Sequence, residues 1–368
     1  MKYYIIAGEA SGDLHASNLM KSLKQKDLAA EFRFWGGDLM ADVAGFQPVK
    51  HYKDLAFMGF LEVAKNIRTI LKNIRFCKDD LKAYKPDVLI LVDYPGFNLR
   101  IAEFAKSLGI KVVYYISPQL WAWKEGRVKK IRAFVDEMLV ILPFEKDFYK
   151  GHSVDAHFVG HPLLDAISNL PPVDSDEFKM ENGLNSKEII ALLPGSREQE
   201  VTKMLELMLS VRPYFKEYQF VIAGAPSLPR SFYQRYVDEN VHFVSNKTYD
   251  LLRCSSAALV TSGTATLETA LLNVPQVVCY RSSQVSYEIA KRVVKNIKYI
   301  SLVNLIMDRE IVTELIQKEL KTDRLKHELE NILHGENRER MLTQYSELRH
   351  KLGGSGASER AADIIVNG

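Results

Sequence analysis

Short apolar runs alternate with longer amphipathic stretches along the whole chain. The first half has predicted strands at Tyr3–Ala7, Val88–Val92, Lys111–Ile116, Met138–Leu142 and Ala156–Val159, and the second half has them at Ile189–Leu193, Gln219–Ala223, Val241–Val244, Ala257–Val260 and Gln276–Tyr280. Most of these runs are continuously apolar, which is typical of parallel strands covered on both faces. Helical patterns lie between them, as at His15–Gln25, Arg100–Leu108, Glu200–Val211 and Thr266–Leu272. This alternation predicts an α/β protein with doubly wound parallel sheets.

A change of composition near residues 163–186 divides this pattern. Pro171-Pro172 and Asn182-Gly183, which are typical of loops, flank an acidic stretch. We therefore predict a first domain at 1–165, a linker at 166–186, a second domain at 187–340 and a helical tail at 341–368. The tail could pack back on the first domain or join two copies in a homodimer. Two Rossmann-like sheets in tandem are expected to face a cleft that holds the ligand at the carboxyl ends of the strands.

Composition narrows the function classes. The chain has 368 residues, of which 47% are hydrophobic and 26% charged, as expected for globular domains. A net charge of only +3 argues against a protein whose main function is nucleic-acid binding. The three cysteines are far apart, which argues against a disulfide framework or a zinc site and fits a reducing cytoplasm. The first apolar run is too short for a signal peptide, and no uncharged stretch is long enough to span a bilayer, so we expect a cytoplasmic protein.

Two loops of the first half offer candidate chemistry. The loop after the first strand supplies backbone freedom and polar atoms through Gly8, Glu9, Ser11, Gly12 and Asp13. It matches neither a dinucleotide fingerprint nor a P-loop, and an ordinary strand–helix turn would contain similar residues. Asp93 ends a strongly apolar strand in a segment that also contains Asn98. A carboxylate there can accept the proton of a substrate hydroxyl, although Asp before Pro is also common in turns.

A third loop, after the next predicted strand, contains Ser117, Trp121 and Trp123. Two tryptophans spaced two residues apart after a proline turn favour a flat platform for a sugar or an acyl chain. Packing between domains is the alternative interpretation.

The second half contains two candidate anion sites, each between a strand and a helix. Gly195, Ser196 and Arg197 combine a helix N-terminus with a guanidinium, which suits phosphate, although an arginine capping a turn would look the same. The other candidate consists of Ser262, Gly263, Thr264, Ala265 and Thr266, whose hydroxyls and amides suit a diphosphate. Glu268 follows and could chelate a ribose diol. The same residues could also form a capping box.

No metal or cofactor is predicted. Asp174-Ser-Asp176 resembles the metal-binding DxD of many sugar transferases, but it lies in the predicted linker and is better interpreted as a solvated loop. The nine histidines show no metal-ligand spacing. Of these histidines, only His161 lies at the end of a predicted strand beside the linker, where it could be a hinge or pocket residue.

A basic stripe with an apolar segment before it resembles an interfacial membrane anchor. The apolar segment contains Phe57, Met58 and Phe60, and the stripe contains Lys65, Arg68, Lys72, Arg75, Lys78 and Lys82. A second basic cluster, at 124–132, strengthens the case for anionic lipid. An ordinary surface helix with a solvated face is the alternative interpretation.

Taken in order, the motifs resemble those of the lipid-A-disaccharide synthases over nearly the whole chain. They are GEASGD at Gly8–Asp13, MGFLEV at Met58–Val63, DYPGFN at Asp93–Asn98, SPQLWAW at Ser117–Trp123, LPFE at Leu142–Glu145, VGHP at Val159–Pro162, LPGSR at Leu193–Arg197, SGTATLE at Ser262–Glu268 and SLVNL at Ser301–Leu305. No single motif is decisive, but nine in order are highly specific.

The resemblance implies a metal-independent, inverting glycosyltransferase of the GT-B fold. Its donor would be UDP-2,3-diacylglucosamine and its acceptor 2,3-diacylglucosamine 1-phosphate (lipid X), giving a β(1→6) disaccharide 1-phosphate and UDP for outer-membrane lipid A. Asp93 would be the general base, and Arg197 with Ser262–Thr266 would stabilise the departing UDP. Glu268 would hold the ribose, with Asn304 on a further loop. Such an enzyme would work at the inner surface of the cytoplasmic membrane.

One position departs from the family. Many members have Asp-x-Pro-Asp-Phe-Asn where this chain has Gly96 at the second Asp, so either that carboxylate is dispensable or Glu9 or Asp13 shares the work. Two alternatives also stay open: another UDP-sugar enzyme of this fold, such as a non-hydrolysing epimerase, and a binding protein without activity.

Overall fold

The computed structural model describes residues 1–55, 67–118, 120, 125–282 and 298–368. The chain forms two compact units. The first comprises Met1–Asp165 together with Leu352–Gly368, and the second comprises Ala166–Lys351.

The first unit is built on a parallel sheet. Its described strands are β1 (Lys2–Ala7), β2 (Glu31–Gly36), β3 (Lys50–His51), β4 (Val88–Val92), β5 (Lys111–Tyr115), β6 (Glu137–Val140) and β7 (Ala156–Phe158), in the order β3-β2-β1-β4-β5-β6-β7. Its described helices are α1 (Ala10–Lys26), α2 (Asp38–Ala44), α3 (Ile67–Tyr84), α4 (Pro95–Ser107), α5 (Val128–Phe134), α6 (Glu145–Lys150) and α7 (Leu163–Ser168), which runs across the unit boundary. The strand order reverses between β1 and β4.

The second unit repeats this plan. Its described strands are β8 (Glu188–Leu193), β9 (Tyr218–Gly224), β10 (Val241–Ser245), β11 (Ser255–Thr261), β12 (Gln276–Tyr280) and β13 (Glu314–Ile316), all parallel in the order β10-β9-β8-β11-β12-β13. Its described helices are α8 (Ser175–Glu181), α9 (Glu198–Leu209), α10 (Arg230–Tyr233), α11 (Thr248–Arg253), α12 (Thr264–Leu271), α13 (Leu302–Met307), α14 (Thr322–Leu333) and α15 (Glu336–Lys351). Here the order reverses between β8 and β11.

Burial explains why the apolar runs become central strands. All five residues of β4 are buried, because helices cover both faces of the sheet. In α1 the buried positions Ala16, Leu19, Met20 and Leu23 recur every three or four residues and form one helix face. Gly12 lets the start of α1 approach the sheet, because a Cβ there would lie 3.3 Å from the Cβ of Ala7.

The end of the chain packs on the first unit. Helix α16 (Ala357–Asn367) buries Ala361, Ala362 and Ile365 and packs on α1. Lys26 pairs with Asp363 at 2.6 Å. The Asp165 carboxylate accepts the amide hydrogens of Gly356 and Ser358 at 2.5 and 3.1 Å, which satisfies backbone donors at the start of α16.

The ten strands predicted from the apolar runs are confirmed, within one or two residues at their ends. The runs did not predict β2, β3 and β13. β2 alternates polar Glu31 and Arg33 with Phe32 and Phe34, and the other two are only two and three residues long. The predicted linker contains α8, whose Phe178 is buried in the core of the second unit. None of the described helices is long and apolar enough to cross a membrane.

Candidate active site

Strand order brings two loops of the first unit together. Where the order of a parallel sheet reverses, the connections leave the carboxyl ends of the two neighbouring strands in opposite directions and open a crevice. In the first unit these neighbours are β1 and β4, paired through Ala7 and Val92. Glu9 follows the first strand and Asp93 follows the second, so the two carboxyl groups meet at the crevice.

The backbone at Asp93 is held in an uncommon conformation. Asp93 and Tyr94 have φ of 44° and 46°, the left-handed region that costs non-glycine residues on the order of 1–3 kcal/mol each. The Asp93 carbonyl oxygen accepts hydrogen bonds from the Tyr114 hydroxyl at 2.6 Å and the Asn98 side-chain amide at 2.7 Å. The side-chain nitrogen of Asn98, which was predicted as a substrate ligand, also donates to the Val92 carbonyl at 3.2 Å.

Burial and a neighbouring carboxyl group make Asp93 a weak acid. Loss of solvent, and to a lesser extent the negative charge of Glu9, raises the pKa of Asp93 to about 6. Burial also raises the pKa of Glu9 above its ordinary value. A carboxylate with a pKa this close to neutrality is suited to take a proton from an alcohol as a general base.

The glycine after β1 makes room for a ring. A Cβ at Gly8 would lie 2.5 Å from the ring of Tyr94, whose hydroxyl donates to the Leu55 carbonyl at 3.2 Å. Gly8 is therefore needed for close packing of the two crevice loops.

Asp13 is a structural residue. It is 3% exposed, and its carboxylate accepts the amide hydrogens of Gly37, Leu39 and Met40 at 2.7, 3.1 and 3.2 Å. These bonds cap the N-terminus of α2 and occupy both carboxylate oxygens. The Asp13 carboxylate is thus engaged with α2, whereas Glu9 lies beside Asp93 at the crevice.

The remaining predicted ligands of the first unit differ in accessibility. Ser11 is exposed in the first turn of α1. Ser117 is buried, and its hydroxyl donates to the Pro118 carbonyl at 2.9 Å and lies 2.7 Å from the Tyr149 hydroxyl. It therefore supports its own loop. Trp121 and Trp123 lie outside the described residues.

Gly96, the departure from the family, has room for a side chain. No described atom lies within 4 Å of a Cβ built there, and the residue is exposed in the first turn of α4. The missing carboxylate is therefore not excluded by packing.

In the second unit, the loop after β8 leaves a cation open. Gly195 has φ of 103°, a left-handed conformation that favours glycine. A Cβ there would also lie 2.5 Å from a carboxylate oxygen of Glu200. The Ser196 carbonyl accepts the Ser227 hydroxyl at 2.7 Å, which ties this loop to the one after β9. Arg197 is exposed at the N-cap of α9, and within the described chain its guanidinium has no hydrogen-bond or ion-pair partner.

The loop after β11, across the second reversal of strand order, leads into α12. Gly263 is the N-cap, with Gly263 and Thr264 exposed and Ala265 partly buried. The Thr266 hydroxyl donates to the Gly263 carbonyl at 2.8 Å, and the Ser262 hydroxyl donates to the Ile300 carbonyl at 2.8 Å. These two hydroxyls shape the loop, so the groups left for a ligand are the Thr264 hydroxyl and the first amides of α12.

Glu268 lies in α12 and has a partner that the motif did not reveal. One of its carboxylate oxygens accepts the Tyr249 hydroxyl at 2.9 Å, which leaves the other oxygen without a described donor. Burial raises the pKa of Glu268 above its ordinary value. The arrangement gives an oriented carboxylate that can accept hydrogen bonds from a diol.

Asn304 supports the fold. Its side chain donates to the Val312 carbonyl and to Glu314, and accepts the amide hydrogens of Ile311 and Val312, all within 3.1 Å. These four bonds use the hydrogen-bonding capacity of the Asn304 side chain within its own loop.

Glu314, which sequence reasoning missed, organises this loop. Its carboxylate also accepts the amides of Ile300 and Ser301 at 2.8 and 2.9 Å. No motif indicated Glu314, Tyr114 or Tyr249, since their partners are set by strand and helix neighbours.

The Asp174-Ser-Asp176 segment and His161 both have structural roles. Asp174 is the N-cap of α8 and accepts the amides of Asp176 and Glu177 at 2.9 Å, so this DxD is a helix start. His161 is 4% exposed, and burial lowers its pKa to about 3, so it is a neutral core residue. Within the described residues, no group of three or more His, Cys, Asp or Glu side chains could hold a metal ion.

The basic face lies partly within the described chain. Arg68, Lys72 and Arg75 are exposed on α3, beside exposed Leu71 (53%) and Phe76 (46%). Phe57, Met58, Phe60 and Lys65 lie outside the described residues.

Comparison with known proteins agrees with this geometry. Among solved structures, the UDP-GlcNAc 2-epimerase of Neisseria meningitidis bound to UDP-GlcNAc has a TM-score of 0.69 at 15% identity, with all of both chains covered. The kitacinnamycin glycosyltransferase has a TM-score of 0.67 at 13% identity, covering 100% of this chain and 98% of that one. At such identities the likeness shows the fold alone, and the predicted GT-B class is confirmed.

The sequence comparisons are more specific. The lipid-A-disaccharide synthetase family model matches residues 3–366. The lipid-A-disaccharide synthase of Syntrophus aciditrophicus (strain SB) is 40% identical over 372 residues, which covers 98% of this chain and 96% of the relative. With matches over nearly its whole length, this chain belongs to the lipid-A-disaccharide synthase family of glycosyltransferases.

Proposed function

We propose that this enzyme transfers the diacylglucosamine group of UDP-2,3-diacylglucosamine to the 6-hydroxyl of 2,3-diacylglucosamine 1-phosphate. The acceptor oxygen forms a bond to the anomeric carbon of the donor, and the bond from that carbon to the diphosphate breaks. The hydroxyl proton goes to a base, and UDP leaves with the bonding electron pair. A single displacement of this kind inverts the anomeric configuration and gives a β(1→6) disaccharide 1-phosphate.

The observation that carries the proposal is the Asp93 carboxyl group at the crevice of the first unit. Its pKa of about 6 leaves it ionised at neutral pH and still basic enough to take the proton. The fixed turn at residues 93 and 94 aims it.

The second unit is proposed to hold UDP. Negative charge builds up on the diphosphate as the bond breaks, and the unpaired Arg197 guanidinium with the first amides of α12 can stabilise it. The Glu268 carboxylate, oriented by Tyr249, would accept hydrogen bonds from the ribose hydroxyls. The transfer is proposed to need no metal ion.

The test is an assay with both lipid substrates, with and without a chelator, that measures UDP and disaccharide. Equal product formation with and without chelator is expected. Loss of product in chelator would contradict metal independence alone. If the enzyme turned over a non-acylated UDP-sugar but gave no product from the two lipids, another UDP-sugar enzyme would be favoured. Binding of the substrates without turnover would favour a binding protein.

Membrane contact is a separate proposal. Both substrates are lipids, and the exposed face of α3 combines Arg68, Lys72 and Arg75 with Leu71 and Phe76. Such a face suits the anionic inner surface of the cytoplasmic membrane. Reversing the three charges to glutamate should abolish cosedimentation with vesicles that contain anionic lipid, whereas the same change at Lys318, Lys321 and Arg324 should not. Binding unaffected by the first set would contradict it.

A homodimer through the tail is also open to measurement. Helix α16 packs on α1 of its own chain, so a tail-exchanged dimer would place α16 on the same surface of a second copy. Light scattering on the purified protein gives the mass that decides between one chain and two.

A further inference from the structure

The turn after β4 is held by two elements besides its own strand. The Asp93 carbonyl oxygen accepts one hydrogen bond from Asn98 on α4 and one from Tyr114 on β5. The Asp93 amide in turn donates to the Tyr115 carbonyl at 3.4 Å. These contacts fix the main chain on both sides of the Asp93 side chain.

The Tyr114 hydroxyl is not needed to fill the core. Tyr114 is fully buried within the apolar cluster of the first unit, where a phenylalanine ring would occupy the same space. A hydroxyl in such surroundings costs free energy unless it finds a partner, and its partner here is the Asp93 carbonyl at 2.6 Å. Burial keeps the pKa of Tyr114 well above its ordinary value, so the hydroxyl keeps the proton that it donates.

The geometry of the left-handed turn gives this contact a consequence for the side chain. When φ of Asp93 is fixed near 44°, the direction of its Cα–Cβ bond is fixed as well. Relaxation toward the right-handed or extended region would turn this bond and so move the carboxylate. The Tyr114 hydroxyl therefore acts on the position of the carboxylate and does not itself touch a substrate.

We propose that Tyr114 is a positioning residue, whose hydroxyl holds the Asp93 carbonyl and so aims the Asp93 carboxylate at the acceptor hydroxyl. This inference rests on the proposed function, in which Asp93 is the base. It adds a residue that belongs to none of the nine motifs.

The test compares Tyr114→Phe with Tyr115→Phe. Tyr115 is the next residue of β5, is equally buried and points to the opposite face of the sheet, so this control removes the same group from the same strand. Tyr114→Phe should lower kcat by about 10- to 100-fold with KM for both substrates within about twofold, because misplacement of a reacting group affects the chemical step. Tyr115 contacts the turn only through its main-chain carbonyl, which a phenylalanine keeps, so Tyr115→Phe should leave kcat within about twofold of the wild type.

The outcomes separate the inference from the proposed function. Wild-type kcat in Tyr114→Phe, in an active enzyme, would overturn the inference alone. A wild-type protein that makes no disaccharide would overturn the proposed function. The positioning role would then be judged from a crystal structure of Tyr114→Phe. An Asp93 backbone that leaves the left-handed region supports the role, and an unchanged backbone overturns it.

Discussion

The loops at the two reversals of strand order use their polar groups in opposite ways. In the first unit the turn at Asp93 is partly buried and strained, and its main-chain groups are bonded to Asn98, Tyr114 and Tyr115. In the second unit Arg197 and Thr264 are exposed, and within the described chain neither side chain has a hydrogen-bond partner. A base gains strength from loss of solvent and from a fixed direction, whereas a phosphate site needs donors that are still free. One fold can thus supply both environments.

The largest expected effect is at the strained turn that contains Asp93. Asp93→Asn keeps the shape of the side chain but removes the proposed base, so kcat should fall by about 10³-fold, within the range for loss of general-base catalysis. The measurement is steady-state kinetics on protein with an unchanged thermal midpoint.

Asp174→Asn is the matched control. The same chemical change there keeps a good helix N-cap, so activity should stay near that of the wild type. A base assignment to Asp93 would be untenable if Asp93→Asn retained more than about a tenth of wild-type kcat.

The second largest effect is expected at Arg197, the exposed cation of the second unit. Arg197→Ala should lower kcat by about 10²-fold, because it removes one donor that is proposed to stabilise the departing diphosphate. Arg324→Ala, at another exposed arginine of the same unit, is the control. Equal, small effects of both substitutions would remove Arg197 from the mechanism.

The acid side of the pH–rate profile tests the coupling of the two carboxyl groups. Asp93 must be ionised to act as a base, so activity should fall as pH drops below about 6. The charge of Glu9 raises the pKa of Asp93, so Glu9→Gln should move this limb to lower pH. A limb that stays in place, or moves up, would show that the two groups are not coupled in this way.

The orientation of Glu268 should have a smaller effect, on binding. Tyr249→Phe removes one hydrogen bond to the carboxylate proposed to hold the ribose. KM for the UDP-linked donor should rise about 3- to 10-fold with kcat nearly unchanged, the size expected for the net contribution of one typical hydrogen bond. A change in kcat with constant KM would place Tyr249 elsewhere in the mechanism.

The smallest effect is expected at Gly96. Gly96→Asp adds the carboxylate of many family members into open space, so the free energy of unfolding should change by less than about 0.5 kcal/mol. If Asp93 with Glu9 is sufficient, kcat should change by no more than about twofold. A large gain in activity would indicate that this chain lacks a useful second carboxylate.

Several features could be predicted from the sequence because they depend on local pattern. Buried parallel strands are continuous apolar runs such as Val88–Val92, and turns between strand and helix require residues such as Gly8 and Gly195. The positions of Asp93 and Arg197 followed from the same logic, since Asp93 comes directly after a strand and Arg197 begins the helix that follows one. The strand β2 was missed because its alternating pattern resembles a half-exposed surface.

What only the tertiary structure decided is which polar residues are free. Asp13, Asn98 and Asn304 lie in motifs and were predicted as ligands, yet their side chains bond main-chain groups. Tyr114 and Tyr249 lie in none of the nine motifs, yet they orient Asp93 and Glu268. The sequence by itself determined the two sheets, the loops at their carboxyl ends and the family. The hydrogen-bond partners required the fold, because they come from strands and helices that strand order brings together across long separations in the chain.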